Sequence, residues 1–359
     1  MRLFCSTHFL TLKIFNLCSP STTDDVIFDN LPAKDLLRYA QVCHSAHDAV
    51  SSYLRRAFKL ERLLSRYLSD KEILELRCLQ FSTGAIISGS TALQFLDRSF
   101  YPDSDLDIYV QQDYTQEIAS WLETIGYKML PREGSTKTNL QHTMAEMAEL
   151  SDVPMIPPSS NIYPGSFAIL EFSRGYSENR VQLMITEGSP VASVLHFHSS
   201  MFKLFDSFYL LTPALACVMN FITYEKAYAL YPGATFSARK SLVTSVISRP
   251  SHVHQHSTDR ALEKYKARGW QIIRRMTKEL ITEDSANFPT GLRRVGDSKC
   301  WTMTILPKLD FPPSTIEANT WKLDHDRFLG SAMKFATFSE PQLRFNYTEA
   351  SFYTSDSCR

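Results

Sequence analysis

The chain has 359 residues, of which 44% are hydrophobic and 12% aromatic, so it can bury a large core in two domains or in one elaborated domain. Its 38 basic and 38 acidic residues give a formal net charge of zero, which excludes a global field that recruits nucleic acid or anionic membrane. The seven cysteines are scattered without a C-x-x-C pair. This pattern argues against a zinc ribbon and favours reduced thiols, which predicts a cytoplasmic or nuclear protein.

The N-terminal stretch MRLFCSTHFLTLKIFNLC is apolar, and we expect residues 1–24 to form a disordered or truncated leader rather than a secretion signal. His8 and Lys13 interrupt the apolar run, and no clear small-residue cleavage site follows. The longest apolar run elsewhere, residues 208–222, contains a proline and is too short to cross a bilayer. We therefore predict a buried helix there and no membrane partner.

From residue 31 the apolar residues recur at three- and four-residue steps, which predicts two short helices. A Leu-Pro pair, an Asp-Leu-Leu helix and a Val-Cys pair stand out: Leu31, Pro32, Asp35, Leu36, Leu37, Val42 and Cys43. This segment resembles the latter part of an F-box, which implies a ubiquitin-ligase adaptor as partner. The first F-box helix should lie upstream, where TTDDVIFDN is a poor candidate. The alternative is a helical cap that packs on the following domain.

Residues 85–110, AIISGSTALQFLDRSFYPDSDLDIYV, contain the clearest chemical motif. They predict an apolar strand, a turn at Gly89 and Ser90, a brief helix, and a second strand that begins at Asp105. Because alternate side chains of a strand share a face, Asp105 and Asp107 project together. Two carboxylates held side by side suit Mg²⁺ or Mn²⁺. The glycine lets a phosphate approach the backbone N–H groups at the start of the helix.

The order strand, Gly-Ser, spacer and Asp-Leu-Asp-Ile resembles the nucleotidyltransferase-fold superfamily, of the DNA polymerase beta and antibiotic nucleotidyltransferase type. The resemblance implies that Asp105 and Asp107 bind magnesium (or manganese) and act in catalysis. It also implies that Gly89 and Ser90 bind a nucleoside triphosphate whose nucleotidyl group is transferred. Together with the F-box-like segment, the chain is similar to a fungal group of this superfamily. The alternative is an acidic surface turn before an ordinary strand.

The third carboxylate of the superfamily comes from a later strand. Residues 167–172 and 180–186 predict a hairpin of two strands. In the second strand, Gln182 stands where the third carboxylate is expected. This third position is weakened, because an amide carries no charge. Glu171 in the first strand is the nearest acidic substitute. The resemblance therefore implies a nucleotidyltransferase whose activity is reduced or lost. The second hypothesis is an inactive F-box-like adaptor that presents a client to a ubiquitin ligase.

Later segments give further expectations. Residues 190–222 predict mostly helix, and residues 223–245 predict two helices separated by a turn. Three cations of the second region are candidates to bind the triphosphate: Lys226, Arg239 and Lys240. Residues 259–281 predict one helix with a basic face, for which RNA is an alternative partner, although no RNA-binding aromatic motif accompanies it. The basic residues are Lys264, Lys266, Arg268, Arg274, Arg275 and Lys278.

These observations predict an α+β fold in which helices flank a nucleotidyltransferase-like mixed sheet. The predicted parts are the leader (1–24), an F-box-like helical segment (25–79), the nucleotidyltransferase-like domain (80–285) with an insertion at 127–164, and a small β-rich tail (286–359).

Overall fold

The structure is a computed structural model that describes residues 21–131, 168–175, 180–186, 188–196, 214–244, 262–326 and 330–350. The chain divides into two units, Met1–Arg62 and Leu63–Arg359. Helices and mixed sheets occur together in the described residues, so the predicted α+β class is confirmed. The leader as far as residue 20 and residues 132–164 of the predicted insertion lie outside the described residues.

In the described part of the first unit, which starts at residue 21, the chain forms the helices α1 (Ser21–Asp29), α2 (Ala33–Ala40) and α3 (His44–Ala57). Its core is formed by four buried side chains: Phe28, Leu36, Val50 and Tyr53. Leu36 therefore points inward, whereas its neighbour Leu37 is exposed. Cys43 caps α3, because its Sγ accepts a hydrogen bond from the Ala46 N–H. The helices α2 and α3 confirm the helical spacing of the sequence.

The expectation that TTDDVIFDN is a poor first helix is wrong, because these residues form most of α1. Contacts that are distant in sequence stabilise it. Phe28 packs into the core, the Tyr53 hydroxyl donates to Asp29 at 2.6 Å, and Arg56 donates to Asp25 at 3.1 Å. An isolated helix of this length is marginal, so such tertiary contacts decide whether it forms.

Two helices, α4 (Leu60–Leu64) and α5 (Asp70–Thr83), precede the first strand. A capping box begins α5, in which the Ser69 and Glu72 side chains each accept a backbone N–H from the other residue. The buried Arg77 side chain donates to the Tyr224 carbonyl. The capping box stabilises the start of α5, and the Arg77 hydrogen bonds attach the helix to the backbone at Tyr224.

Within the described residues, the main sheet has eight strands in the order β12-β8-β7-β1-β2-β5-β4-β3. They are β1 (Ile86–Ser88), β2 (Leu106–Gln111), β3 (Lys128–Met129), β4 (Ala168–Ser173), β5 (Arg180–Thr186), β7 (Asn220–Ile222), β8 (Lys226–Ala229) and β12 (Trp301–Thr304). Strands β2 and β5 are parallel, and the other neighbours in this sheet are antiparallel. The predicted strands of residues 85–110 and the predicted hairpin are therefore present.

Strand β2 is the centre of this arrangement, since every residue in it is buried. On one face of the sheet, Ile86, Tyr109 and Met184 lie in the same apolar cluster as Val194 and Leu195. The last two belong to a helix that covers this face. The accompanying helices are α6 (Gly89–Asp97), α7 (Thr115–Thr124) and α8 (Pro190–His196).

A second sheet has the order β10-β9-β14-β13-β11, with β6 paired to β9. Trp321 and Leu242 are buried in the same cluster as residues of the main sheet, so one core serves both sheets. A hairpin of two further strands, β15 (Ala336–Phe338) and β16 (Tyr347–Glu349), follows. The strands of the second sheet are β6 (Ala214–Leu215), β9 (Lys240–Thr244), β10 (Gln271–Ile273), β11 (Gly291–Arg294), β13 (Thr320–Asp326) and β14 (Gly330–Lys334).

The helices predicted between residues 214 and 245 are wrong, because the described part of this region forms β6, β7, β8 and β9. Nearly all of its side chains from 215 to 231 are buried. An apolar run that is buried on all sides shows no periodicity that separates a helix from a strand. The prediction for residues 190–196 was correct and corresponds to α8, while residues 197–213 lie outside the described residues.

The single helix predicted for residues 259–281 is also wrong. A short helix, α9 (262–267), ends before Gly269, which adopts a left-handed φ of 97°. The buried Trp270 and strand β10 follow, and then the helix α10 (Lys278–Glu283). The predicted basic face is therefore divided among separate elements, and it does not form one RNA-binding stripe.

Within the predicted β-rich tail, the strands of residues 291–334 join both sheets of the second unit. β12 pairs with β8 in the main sheet, while β11, β13 and β14 build the second sheet. The sequence pattern identified strands here but could not show their partners, which lie 70 or more residues earlier for β12. Among the residues that the structure describes, every helix is too short or too polar to traverse a membrane.

The burial of Leu36 and the exposure of Leu37 lead to a prediction. Leu36→Ala should lower the free energy of unfolding of the first unit by about 2–5 kcal/mol, because it removes a fully buried side chain. Leu37→Ala should change it by no more than about 0.5 kcal/mol. Urea unfolding of the full chain, followed by circular dichroism, measures both changes. Equal losses for the two variants would contradict the assignment of the core.

Candidate functional site

The acidic pair lies where β2 begins in the main sheet. Asp105 immediately precedes β2 and Asp107 is its second residue. In the register of the sheet, Asp107 lies opposite Gln182 of β5, and Gln182 lies opposite Glu171 of β4. Residues opposite each other on neighbouring strands project to the same face. We call this group, Asp105, Asp107, Glu171 and Gln182, the acidic face.

The turn at Gly89 fits tightly against this face. Gly89 has a left-handed φ of 65°, and a Cβ atom built on it would lie 2.1 Å from Oδ2 of Asp107. A side chain at this position would therefore collide with the carboxylate. Ser90, the other predicted phosphate-binding residue, is buried. Thus Gly89 and Asp107 are brought together as predicted, and the turn packs directly on the carboxylate.

Asp105 is held by backbone and side-chain interactions on both sides. The Arg180 N–H donates to its carboxylate, and the Thr91 hydroxyl donates to its backbone carbonyl at 2.8 Å. The loop before it is fixed by Arg66, which donates to the Ser104 hydroxyl at 2.7 Å. Arg66 and Arg180 were not predicted as site residues, because their roles depend on contacts between distant segments.

The electrostatics of the acidic face follow from burial. Asp107 is only 3% exposed. Burial, together with the Asp105 carboxylate, raises the pKa of Asp107 to about 8. Burial also raises the pKa of Asp105. The Lys264 ammonium on α9 opposes both shifts, so this residue, predicted only as part of the basic helix, belongs to the surroundings of the acidic pair.

The third position differs from the acidic pair. Gln182 is opposite Asp107, as the resemblance implied, and it is neutral. Glu171 shares the face, but its carboxylate forms a salt bridge with Arg180 at 3.1 Å. Within the described residues, no group of three or more His, Cys, Asp or Glu side chains is arranged to bind one metal ion. The acidic face therefore does not supply the three carboxylates of a two-metal site, and Asp105 and Asp107 are the two residues that would hold a single cation.

The three cations predicted to bind the triphosphate are engaged elsewhere. The structure gives each of them a different acidic partner and does not bring them together at the acidic face. The pairs are Lys226 with Glu317 at 2.8 Å, Arg239 with Asp97 at 2.9 Å, and Lys240 with Asp284 at 2.7 Å.

A second candidate site lies in the first unit, where three large apolar side chains are exposed among the residues that the structure describes. They are Val26 on α1, Leu37 on α2 and Val42 between α2 and α3, with exposed fractions of 64%, 50% and 54%. Single exposed apolar residues are common, whereas grouped ones mark protein-binding surfaces, so these three residues are candidates for such a surface. We call these three residues the apolar surface.

Comparison with known families supports this second site. The F-box domain matches residues 26–57, which include the end of α1 and all of α2 and α3. No curated protein and no solved structure matches the chain significantly. The resemblance to nucleotidyltransferases therefore has no support from relatives and stays a prediction based on the acidic face.

The close approach of Gly89 to Asp107 leads to a prediction. Gly89→Ala should lower the free energy of unfolding by about 3 kcal/mol or more, because a left-handed alanine costs about 1–2 kcal/mol and the new Cβ atom also displaces the carboxylate. Gly175→Ala is the matched control, since Gly175 has nearly the same φ, 64°, and nothing within 4 Å of its Cβ position.

The control should lose only the backbone contribution, about 1–2 kcal/mol. Urea denaturation of both full-length variants measures the difference. Equal losses of unfolding free energy in the two variants would show that the Asp107 carboxylate does not require a glycine at position 89.

Proposed function

We propose that the protein is an F-box adaptor that brings a client protein to a ubiquitin ligase. The observation on which this proposal depends is the match of residues 26–57 to the F-box domain. In this function α1 to α3 bind the F-box-binding subunit of the ligase, and the second unit presents the client. Among the described residues, Cys43, Cys78, Cys217 and Cys300 form no disulfide, which is consistent with a reducing compartment, so we propose action in the cytoplasm or nucleus.

The arrangement of the three helices supports this function physically. Phe28, Leu36 and Tyr53 hold the helices together from within, so that the outward residues are presented on a preformed surface. Covering Leu37 and Val42 with a partner would remove exposed apolar area from water, which is favourable by about 1–2 kcal/mol for each side chain. The presence of α1 also answers the concern that the first F-box helix is missing, because α1 supplies both core and surface residues.

The test separates binding from folding by changing only exposed residues. Leu37→Asp and Val42→Asp should each weaken binding of the purified F-box-binding subunit by about tenfold or more, because a charge would be buried at the contact. Biolayer interferometry with the full chain measures the affinity. Leu292→Asp is the control, since Leu292 is an exposed leucine of the second unit, and it should bind like the wild type.

Leu36→Ala is unsuitable for this test, because it disturbs the core and would reduce binding whatever the surface does. Binding that survives both Leu37→Asp and Val42→Asp, in variants with a wild-type circular dichroism spectrum, would contradict the proposed surface.

A second candidate function is binding of a nucleoside triphosphate with magnesium at the acidic face. The observation that favours it is the placement of Asp105 and Asp107 on one face beside Gly89. Asp105 and Asp107 would hold one Mg²⁺, which would neutralise the carboxylates and the phosphates together. Transfer of a nucleotidyl group is less well supported, because Gln182 is neutral and Glu171 is paired with Arg180.

A magnesium titration with labelled ATP, GTP, CTP and UTP tests this candidate and reveals the preferred base. The candidate requires binding that depends on Mg²⁺ and falls by about tenfold or more in Asp105→Asn, because one of two metal-binding carboxylates is lost. The matched control, Asp310→Asn, changes an acidic residue outside the acidic face. Absence of Mg²⁺-dependent binding for all four nucleotides would leave the adaptor function alone.

A further inference from the structure

The short helix α9 and the turn that ends it contain two cations one helical turn apart, and the first of these cations acts on the acidic face. Lys264 lies on α9 and Arg268 in the turn that ends it, and the Arg268 N–H donates to the Lys264 carbonyl at 3.2 Å. Residues four apart on a helix share one side, so the two charges are neighbours. Both side chains are half-buried. Placing like charges together in a partly buried position is unfavourable unless an anion compensates them.

Within the described residues, neither cation has an acidic partner at salt-bridge distance. The Arg268 guanidinium stacks on the Tyr101 ring, with 3.7 Å between its central carbon and the ring centroid. Its buried NH1 group has no hydrogen-bond partner there. Stacking uses the face of the guanidinium and fixes its plane, so this contact does not consume the N–H groups that lie in that plane. Burial, followed by the charge of Arg268, lowers the pKa of Lys264.

Other basic residues near this part of the chain provide a contrast. Lys266 on the same helix is exposed and pairs with Glu263 at 3.4 Å. Arg239 pairs with Asp97. Lys264 and Arg268 thus differ from their neighbours in being half-buried and in lacking a described carboxylate within salt-bridge distance.

The two cations are held in a fixed position. Leu262 and Tyr265 of α9 are buried in one apolar cluster with Leu93 of α6 and with Trp270. Since α6 begins at Gly89, which packs on Asp107, this cluster links α9 to the acidic face. The charges that act on Lys264 from the neighbouring elements are Arg268, Asp103, Asp105 and Asp107. Lys264 forms a salt bridge with none of these carboxylates among the described contacts.

We propose that Lys264 and Arg268 form a binding site for the phosphate groups of a small polyphosphate ligand, such as the phosphate chain of a nucleotide. A planar guanidinium donates two parallel hydrogen bonds to phosphate oxygens, and an ammonium adds a compact charge. The site supplies the anion-binding residues that Lys226, Arg239 and Lys240 do not supply, because those are paired with carboxylates. The proposal rests on the second candidate function only where it identifies the ligand as a nucleotide. Binding of the phosphate groups themselves does not depend on that function.

The test uses isothermal titration calorimetry of the full chain with tripolyphosphate, first without any divalent cation. Wild type should bind, and Lys264→Ala and Arg268→Ala should each weaken binding by about ten- to a hundredfold, because charge-assisted hydrogen bonds are lost. Arg268→Lys should recover only part of the loss, since lysine cannot donate two parallel bonds. Lys266→Ala is the control and should bind like the wild type.

Two further arms separate this proposal from the magnesium-dependent function. Asp105→Asn should strengthen binding of tripolyphosphate without metal, because a repelling carboxylate is removed, whereas it should weaken binding of a magnesium nucleotide. ATP that binds more tightly than tripolyphosphate would identify a nucleotide ligand, and equal binding would identify the phosphate chain alone. No binding of tripolyphosphate by the wild type, or equal binding by Lys264→Ala, Arg268→Ala and Lys266→Ala, would overturn the proposal.

Discussion

The second unit depends on the contact between the Asp107 carboxylate and the backbone of Gly89. Asp107 is buried in the central strand, and Gly89 is the first residue of the helix that leaves the neighbouring strand. Their close approach fixes the turn between β1 and α6 against β2. The pairing register of β2, β5 and β4 then determines which polar residues share the face. In this register Asp107 lies opposite Gln182, and Gln182 lies opposite Glu171. Because burying a carboxyl group costs free energy, this contact constrains the geometry of the turn without contributing stability through the charge.

Much of this region could be predicted from the sequence, because its signals are local. An apolar strand, a Gly-Ser turn and an alternating Asp-Leu-Asp-Ile strand follow each other within 26 residues. The side-chain alternation of a strand then places Asp105 and Asp107 on one face without knowledge of the fold. The relation of Glu171 to Gln182 could not be predicted, since it depends on the register of the hairpin.

The errors have a common physical origin, which is that distant contacts override local pattern. Helix α1 forms because Phe28 is buried and Asp25 and Asp29 are paired with α3. Nearly all side chains from 215 to 231 are buried, so the strands of this run give no alternation. Gly269 divides residues predicted as one helix, and Trp270 directs the chain into the core. Lys264 was grouped with exposed cations because only the fold shows that it is half-buried near Asp107.

The two units suggest two activities that can be tested separately. The apolar surface on α1 to α3 belongs to the residues that match the F-box domain. The acidic face, Lys264 of α9 and Arg268 in the turn after it belong to the second unit, and a ligand there would act on the part that we propose presents the client. The central claim is the adaptor function. Its most direct test is calorimetric titration of the purified full chain with the purified F-box-binding subunit of a ubiquitin ligase. We predict a one-to-one complex of the same affinity for the wild type and for Asp107→Asn, and absence of a complex with the wild type would contradict the account.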